Sequence, residues 1–305
     1  MSSVPLRVAY FGLPLGALAL HRAGVTPRVV ALGHPDAPGA RRARKAFSRE
    51  SLLLARPDLT DPVVLRALAS TQPDVILSWF WPKLIPEPVL RLAPRGAFGV
   101  HPSLLPRWRG PDPYFWALFR GDPYTGVTLH ALACEYDTGD LVAQARVAVE
   151  PRDNAWTLAK RLDAPGLGLL VEAALQLARG EPLAGVAQDA SEVTEAPAPE
   201  EATLGLRWQG AAEDLANQVR ALSPHPGAST SFGDEPVEVL SASAYPGKLP
   251  RVLEAGDAVL TALGVVIRCG QGALLLERVR RESGELLRGR EVAELFHKGL
   301  FELPG

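Results

Sequence analysis

Two short stretches in the middle of the chain carry the residue types that could perform acid–base chemistry. His101 lies at or just past the end of a predicted strand over 96–98, because the prolines that follow it prevent the strand from continuing. Asp137 opens the turn-forming run Asp137-Thr138-Gly139-Asp140. A histidine changes its charge at about pH 6.5, and a carboxylate beside it can fix its orientation. The pair indicates a proton-transfer site, the alternative being a loop-capping histidine and an aspartate in an ordinary turn.

The elements that must position these residues follow an alternating pattern. Buried strands are predicted over 8–11, 28–32 and 74–78, with a helix over 15–22 between the first two. Strand–helix–strand alternation predicts a parallel sheet with right-handed crossovers. Ligands bind at the C-terminal ends of the strands in such a sheet, which is where His101 is expected. The glycines at 12 and 16 lack the spacing of a dinucleotide-binding fingerprint, so an NAD site is rejected.

Composition describes an ordinary globular protein rather than a membrane or disulfide-rich one. The chain has 305 residues, 47% of them hydrophobic, and a formal net charge of −2. That length allows two domains with cores of their own. The chain has only two cysteines and no apolar run long enough to span a membrane, and its first residues lack the apolar core of a signal peptide. We therefore expect a cytoplasmic protein, and no metal site is expected.

The second half of the chain predicts a different architecture. Helices are predicted over 111–119, 154–162, 166–178 and 211–221, and a final short helix over 289–295. Short alternating runs over 237–240, 258–260, 265–269 and 273–279 predict a small β-barrel of the OB type. The expected fold class is α/β, with an N-terminal Rossmann-like parallel sheet and a smaller C-terminal OB-like barrel. The predicted domain bounds are 1–180 and 204–305, joined by a proline-rich, acidic linker over 181–203.

Three separated motifs together resemble the 10-formyltetrahydrofolate-dependent formyltransferases. Residues 99–110 are similar to the family motif N-x-H-P-S-L-L-P-x-x-R-G, residues 121–128 to G-D-x-x-T-G-V-T, and residues 137–140 to D-T-G-D. The similarity extends over nearly the whole chain, since Gln188 and the run from Thr194 to Pro197 resemble a family pattern, as does the run from Arg220 to Ala228. The resemblance implies a formyltransferase fold and transfer of a formyl group from 10-formyltetrahydrofolate to a primary amine.

The resemblance also implies roles for individual residues. His101 and Asp137 correspond to the catalytic pair, and Gly99 stands where the family has a catalytic Asn whose amide donates to the formyl oxygen. Loss of one such donor typically lowers the rate by about 10²–10³-fold. Three consequences of Gly99 are open. Water or another side chain replaces the missing amide, the enzyme uses a different acceptor or transfers a different group, or catalysis has been lost. Ser103 and Arg109 match the motif as substrate-binding residues or as residues that shape the loop.

The folate pocket is expected in two segments. In the family the stretch equivalent to 79–86 forms a pterin pocket largely by backbone contacts, which assigns folate binding to Phe80, Trp81, Lys83, Leu84 and Ile85. The turn that precedes Asp137 adds Ala133, Cys134 and Glu135. Apolar walls with main-chain amides suit a flat heterocycle. The alternative for the two tryptophans, Trp79 and Trp81, is a place in the core or in an interface.

The amine acceptor has several candidates. Arg41 and Arg42 belong to a basic run over 41–45, interpreted as an exposed, mobile loop, which resembles the loop that family members acting on aminoacyl-tRNA place against the acceptor arm. The alternative is a solvated loop without a partner. From residue 204 onward the net charge is not basic, which weakens the case for tRNA. A formyltransferase acting on a small amine and a folate- or RNA-binding protein without catalysis are the two competing hypotheses.

Overall fold

A seven-stranded sheet organises the N-terminal part of the chain in the computed structural model, which describes residues 5–296 and 300–302. Its strands are β1 (Val8–Gly12), β2 (Val29–Leu32), β3 (Leu52–Ala55), β4 (Val75–Trp79), β5 (Ala97–His101), β6 (Tyr124–Ala131) and β7 (Leu141–Ala148). They lie in the order β3-β2-β1-β4-β5-β6-β7. Strands β1 to β5 are parallel, as predicted, whereas β6 runs antiparallel to β5.

The reversal at β6 has a local cause. For two successive strands to be parallel, the connection must carry the chain back to the end of the sheet at which the first strand began. The segment between β5 and β6 contains a loop and one short helix, and the chain enters β6 from the edge at which β5 ends. All residues of β1, β2, β4 and β5 are buried, which explains why these strands are continuous apolar runs.

The helices of the described residues include those predicted over 15–22, 111–119 and 211–221. They are α1 (Pro14–Arg22), α2 (Ala40–Phe47), α3 (Pro62–Ser70), α4 (Glu87–Leu90), α5 (Pro113–Phe119), α6 (Ala155–Ala178), α7 (Glu201–Leu204) and α8 (Ala212–Leu222), with 3₁₀ turns at Ala190–Glu192 and Gly289–Leu295. None of the described helices is long and apolar enough to cross a membrane.

Two of the helices correct the sequence prediction. The basic run over 41–45 is not a loop but lies in α2, because Ala40, Ala43 and Phe47 are spaced at three and four residues and bury one face. The predicted pair of helices over 154–162 and 166–178 is one helix, α6, which continues through Pro165. A proline inside a helix costs about 3 kcal/mol. The buried apolar residues of α6 offset this cost, namely Leu158, Leu162, Leu170, Ala173, Ala174 and Leu177.

A second sheet contains the remaining strands. They are β8 (Ala228–Phe232), β9 (Glu235–Ala244), β10 (Ala258–Thr261), β11 (Gly264–Arg268), β12 (Ala273–Arg281), β13 (Leu286–Arg288) and β14 (Leu300–Glu302). Their path is β14-β10-β11-β12-β9-β8, with β13 paired to β12. The pairs are antiparallel except β10 with β14, which is parallel. Closure of this sheet into an OB-type barrel stays a prediction.

Contacts divide the chain into two compact units that interleave in sequence. The first contains residues 1–110, 125–147 and 161–195, and the second contains residues 111–124, 148–160 and 196–305. His101 and Asp137 both belong to the first unit. The domain bounds 1–180, 181–203 and 204–305 remain a proposal drawn from the sequence.

Candidate active site

Strands β5 and β6 present four side-chain positions on one face of the first sheet. Gly99 pairs with His130 and His101 pairs with Thr128, and alternate residues of a strand face the same side. His101, Thr128 and His130 are all buried. Two imidazoles therefore lie next to each other at the C-terminal end of β5, of which the sequence singled out one.

Hydrogen bonds hold the ring of His101 in one orientation. Its Nε2 lies 2.8 Å from the carbonyl oxygen of Trp108, which can only accept, so Nε2 carries a proton and donates it. The opposite nitrogen, Nδ1, lies 3.4 Å from Oδ1 of Asp137. The structure thus brings together the two residues that the sequence pairs as a proton-transfer site.

Asp137 sits in a backbone conformation that is unusual for a residue other than glycine. Its φ is 57°, and Phe80 and Trp108, with φ of 53° and 60°, share that property. Residues held in this region concentrate at functional sites, where the surrounding structure fixes them. The carboxylate accepts a hydrogen bond from the backbone N–H of Gly110, at 3.0 Å from Oδ2. Asp137 is thereby fixed through its side chain as well as its backbone.

Gln188 ties the Asp137 turn to the loop that follows His101. Its Nε2 donates to the carbonyl oxygens of Asp137 and Gly139, both at 2.7 Å. Its Oε1 accepts from two nitrogens of the Arg109 guanidinium, at 3.1 and 2.7 Å. Thr194 adds a second tie, because its hydroxyl accepts from the backbone N–H of Trp108 at 2.9 Å. The segment interpreted as a linker therefore organises the candidate site.

Ser103 and Thr128 shape the loop from within. The Ser103 hydroxyl donates to the carbonyl oxygen of Arg107 at 2.6 Å, and the Thr128 hydroxyl donates to that of Ser103 at 2.7 Å. The Thr128 oxygen also accepts from the backbone N–H of Leu105 at 3.0 Å. Both side chains are fully buried. The structure accordingly directs these two hydroxyls at the loop's own backbone.

His130 is the residue of this cluster that sequence reasoning missed. Its Nδ1 lies 2.9 Å from the carbonyl oxygen of Ala131, and its Nε2 lies 3.7 Å from Oδ1 of Asp137. Burial lowers the pKa of His130 to about 4, with the negative charge of Asp137 opposing part of that shift. The ring is therefore neutral at pH 7. The sequence could have indicated that His130 shares a face of the strand with Thr128, because the two residues alternate along β6. It could not have indicated that His130 lies opposite Gly99, because that pairing depends on the register of two strands.

The two predicted folate segments contact each other. The backbone N–H of Leu84 donates to the hydroxyl of Tyr136 at 2.8 Å, so the segment 80–85 contacts the turn that carries Asp137. Ile85 is buried in the core, whereas Lys83 and Leu84 are exposed. In the turn, Cys134 and Glu135 are exposed and Ala133 is partly buried.

The two tryptophans of this region have different surroundings. Trp79 is buried in β4, with its ring 4.9 Å from that of Phe80. Trp81 is partly buried and packs edge-on against Phe11 at 5.4 Å between ring centroids. Within the described residues, the Trp81 indole N–H is buried and has no hydrogen-bond partner. Trp79 is a core residue, and Trp81 combines core packing with an unused donor.

Not every predicted site residue joins the cluster. Arg41 and Arg42 are exposed on α2, and no described contact connects them to His101 or Asp137. In the described part of the chain, no three or more His, Cys, Asp or Glu residues are arranged to hold a metal ion.

The sequence matches two models of known families. The model "formyl transferase" covers residues 25–174, and the model "formyl transferase, C-terminal domain" covers residues 200–296. Methionyl-tRNA formyltransferase of Burkholderia mallei (strain ATCC 23344) is 35% identical over an alignment of 309 positions that covers 94% of this chain and 93% of that protein. The chain belongs to the formyltransferase family.

Solved structures share the fold of this formyltransferase-family chain. HypX from Aquifex aeolicus in complex with tetrahydrofolic acid has a TM-score of 0.63 and 20% identity, covering 99% of this chain and 49% of the HypX chain. The chain thus spans about half the length of HypX. The N-formyltransferase from Helicobacter canadensis, in complex with folinic acid and dTDP-3-aminofucose, has a TM-score of 0.67 and 12% identity, covering 89% and 98% of the two chains.

The glycine at position 99 of this formyltransferase-family chain has a structural explanation. A Cβ added there would lie 2.7 Å from Cδ2 of Leu132 and 3.6 Å from Nε2 of His130. The first distance is shorter than real Cβ contacts allow, although the end of a leucine side chain can shift. Leu132 therefore occupies the place that a Cβ at position 99 would enter, and the imidazole of His130 lies at ordinary contact distance from that place.

Proposed function

We propose that this protein transfers a formyl group from 10-formyltetrahydrofolate to a primary amine, with His101 and Asp137 as its catalytic residues. The observation that carries the proposal is the pairing of buried His101, at the end of β5, with partly buried Asp137: His101 Nδ1 lies 3.4 Å from Asp137 Oδ1. The left-handed backbone of Asp137 and the backbone N–H of Gly110 hold the carboxylate in place. Such preorganisation is typical of catalytic groups.

The reaction requires one proton to move and one negative charge to be stabilised. The amine nitrogen bonds to the formyl carbon, the carbonyl oxygen becomes an oxyanion, and the bond from carbon to N10 of the folate then breaks. Between these steps the amine loses a proton and N10 gains one. The pair of His101 and Asp137 passes a proton to N10 and takes up the proton that the amine loses, and a protonated His101 stabilises the oxyanion by its charge.

We assign the folate to the two segments that meet at Leu84 and Tyr136. The chemistry of the site fits this group, because the buried indole N–H of Trp81 is a donor without a partner, and a pterin ring carries acceptors. Phe80, Trp81, Lys83, Leu84 and Ile85 form one wall. Ala133, Cys134 and Glu135 form the other. Ser103 and Arg109 shape the loop between them, since their polar groups bond to Arg107 and Gln188.

Detection of the formylated product tests the function directly. The protein would be incubated with 10-formyltetrahydrofolate and, in parallel reactions, initiator methionyl-tRNA, a dTDP-amino sugar, or no acceptor, and each mixture analysed by mass spectrometry. We expect formyl-methionyl-tRNA and free tetrahydrofolate. Formylation of the sugar alone would assign a small amine as acceptor. Absence of any formylated product, together with no heat of binding for 5-formyltetrahydrofolate at millimolar concentration, would contradict the function.

Aminoacyl-tRNA is the acceptor that we propose, on the similarity to methionyl-tRNA formyltransferases and on the surface of α2. Arg41, Arg42 and Lys45 are exposed there, and within the described residues they have no ion-pair partner. Arginines that neutralise phosphates supply much of the affinity for a nucleic acid. On the second sheet, Arg280 and Arg281 are less available to phosphates, because they are already paired with Glu238 and Glu235. A cytoplasmic location is part of the same proposal.

Charge reversal on α2 distinguishes tRNA from a small amine. Arg41→Glu/Arg42→Glu is expected to lower kcat/KM for methionyl-tRNA by about 10-fold or more, and to reduce its salt dependence, because phosphate contacts are lost. Tetrahydrofolate release without tRNA should not change. Arg66→Glu, an exposed arginine on α3, is the matched control and should leave both rates unchanged. An equal kcat/KM for methionyl-tRNA in the double variant and in Arg66→Glu would exclude α2 as a tRNA-binding surface.

A further inference from the structure

Three lone pairs converge on one point of the candidate site. The Nδ1 of His130 lies 2.9 Å from the carbonyl oxygen of Ala131, so the single proton of its neutral ring sits on Nδ1 and Nε2 presents a lone pair. In the same way Nε2 of His101 donates to Trp108, which leaves the lone pair of its neutral ring on Nδ1. Those two nitrogens face the same carboxylate oxygen, Oδ1 of Asp137, at 3.4 and 3.7 Å.

This arrangement is unfavourable unless a proton lies within it. All three groups are acceptors when His101 and His130 are neutral and Asp137 is ionised, and buried acceptors that face one another without a donor are costly. One proton placed between His101 and Asp137 supplies the missing donor, and burial of His130 keeps the second ring neutral. The cluster therefore holds one proton among three groups rather than a proton on an isolated pair.

The glycine at position 99 lies directly opposite this third group. His130 is the cross-strand partner of Gly99, and a Cβ at 99 would lie at an ordinary contact distance of 3.6 Å from its Nε2. The same Cβ would lie 2.7 Å from Cδ2 of Leu132, so any side chain at 99 requires Leu132 to shift. A substitution at position 99 therefore changes the surroundings of the His130 imidazole.

We propose that His101, Asp137 and His130 form one unit that holds a single proton, in which His130 acts as a positioning residue through Asp137. The inference rests on the proposed formyl transfer. The amine gives up one proton as its nitrogen bonds to the formyl carbon, and N10 takes up one as its bond to that carbon breaks. The unit therefore ends each turnover with the proton count with which it began.

The protonation states can be measured without turnover. Three charged or titratable groups face His130: Asp137 from the turn, His101 from β5 and Arg109 from the following loop. Imidazole ¹⁵N NMR of the wild-type protein should show His130 as the neutral Nδ1–H tautomer at pH 7. His130→Met should change the ¹⁵N chemical shift of His101 Nδ1, because both rings face Oδ1 of Asp137. A proton on Nε2 of His130 at pH 7, or an unchanged His101 spectrum in His130→Met, would overturn the proposal.

The kinetic test is a double-mutant cycle on positions 99 and 130. His130→Met should lower kcat by about 10²-fold and leave KM for 10-formyltetrahydrofolate within a factor of about 2, because the ring acts on proton transfer and not on folate binding. Gly99→Asn should also lower kcat, because its side chain competes with the imidazole. The Gly99→Asn/His130→Met variant should lose at least about 10-fold less than the product of the two single losses.

The outcomes of this cycle separate the inference from the function on which it rests. His34→Met, an exposed histidine, is the matched control and should retain the wild-type kcat. An unchanged kcat in His130→Met, or strictly multiplicative losses in the double variant, would overturn the inference while formyl transfer stands. A wild-type protein with no formyl transfer would instead overturn the proposed function, and the tautomer of His130 would still be decided by NMR.

Discussion

Asp137→Asn is expected to lower the rate of formyl transfer by about 10²–10⁴-fold and to leave the protein folded. The amide keeps an oxygen that can accept the hydrogen bond from the backbone N–H of Gly110, now 3.0 Å from Oδ2. It removes the negative charge that faces Nδ1 of His101 at 3.4 Å. The imidazole then loses the group that stabilises its protonated form, and protons can no longer move between the amine and N10 through this pair.

The measurement is single-turnover release of tetrahydrofolate, with thermal unfolding recorded for each variant. Asp234→Asn makes the same change of charge at an exposed turn and should behave as wild type. Binding of 5-formyltetrahydrofolate to Asp137→Asn should persist, since the predicted contacts of the pterin come from other residues. A rate within a factor of about 3 of wild type would show that Asp137 is not part of the catalytic machinery, because acid–base residues contribute far more than this.

Gly139→Ala is expected to reduce both activity and stability. A Cβ at position 139 would lie 1.9 Å from the carbonyl oxygen of Ala131, at the end of β6, and backbone cannot move aside as a flexible side chain can. The turn must therefore shift, and with it the carbonyl oxygens of Asp137 and Gly139 that bond Gln188. We expect a loss of about 1–3 kcal/mol in the free energy of unfolding, in line with overpacked sites. We also expect a loss of about 10²-fold in kcat, since a displacement of 1 Å can cost that much.

Gly168→Ala is the matched control for this substitution. Position 168 lies inside α6, and a Cβ there would meet no atom within 4 Å. Alanine in place of glycine in a helix interior stabilises by up to about 1 kcal/mol. Urea unfolding should therefore move the two variants in opposite directions, and only Gly139→Ala should lose activity. Equal stabilities of the two variants would mean that the turn adapts, and the argument from the close approach to Ala131 would fail.

Several elements could be predicted from the sequence because their signals are local. Strands β1, β2 and β4 are buried on both faces and read as continuous apolar runs, and Pro102 marks where β5 ends at His101. At the start of α3, the carboxylate of Asp61 accepts from the backbone N–H of Val63, and an aspartate followed by a proline is a local signal for the start of a helix. The residue types at 137–140 are themselves typical of a turn. These features need no knowledge of distant contacts, so the pattern was sufficient for them.

Helix α2 and helix α6 were misjudged for a physical reason. In α2 the buried face is formed by two alanines and Phe47, which carry a weak apolar signal beside four basic residues. In α6 the sequence predicts two helices, separated between 162 and 166 where Pro165 lies, and the burial of leucines on both sides of Pro165 keeps the helix continuous. In both helices tertiary packing outweighed the local preference.

The groups that surround Asp137 depend on contacts between distant parts of the chain. The pairing of Gly99 with His130 depends on the register of two strands, and a shift of one residue would turn His130 to the opposite face. The bonds from Gln188 to Asp137 span 51 positions of sequence, and no local pattern encodes such a contact. Residue types fixed which side chains could carry a proton, whereas strand register and long-range hydrogen bonds decided that two histidines share one carboxylate.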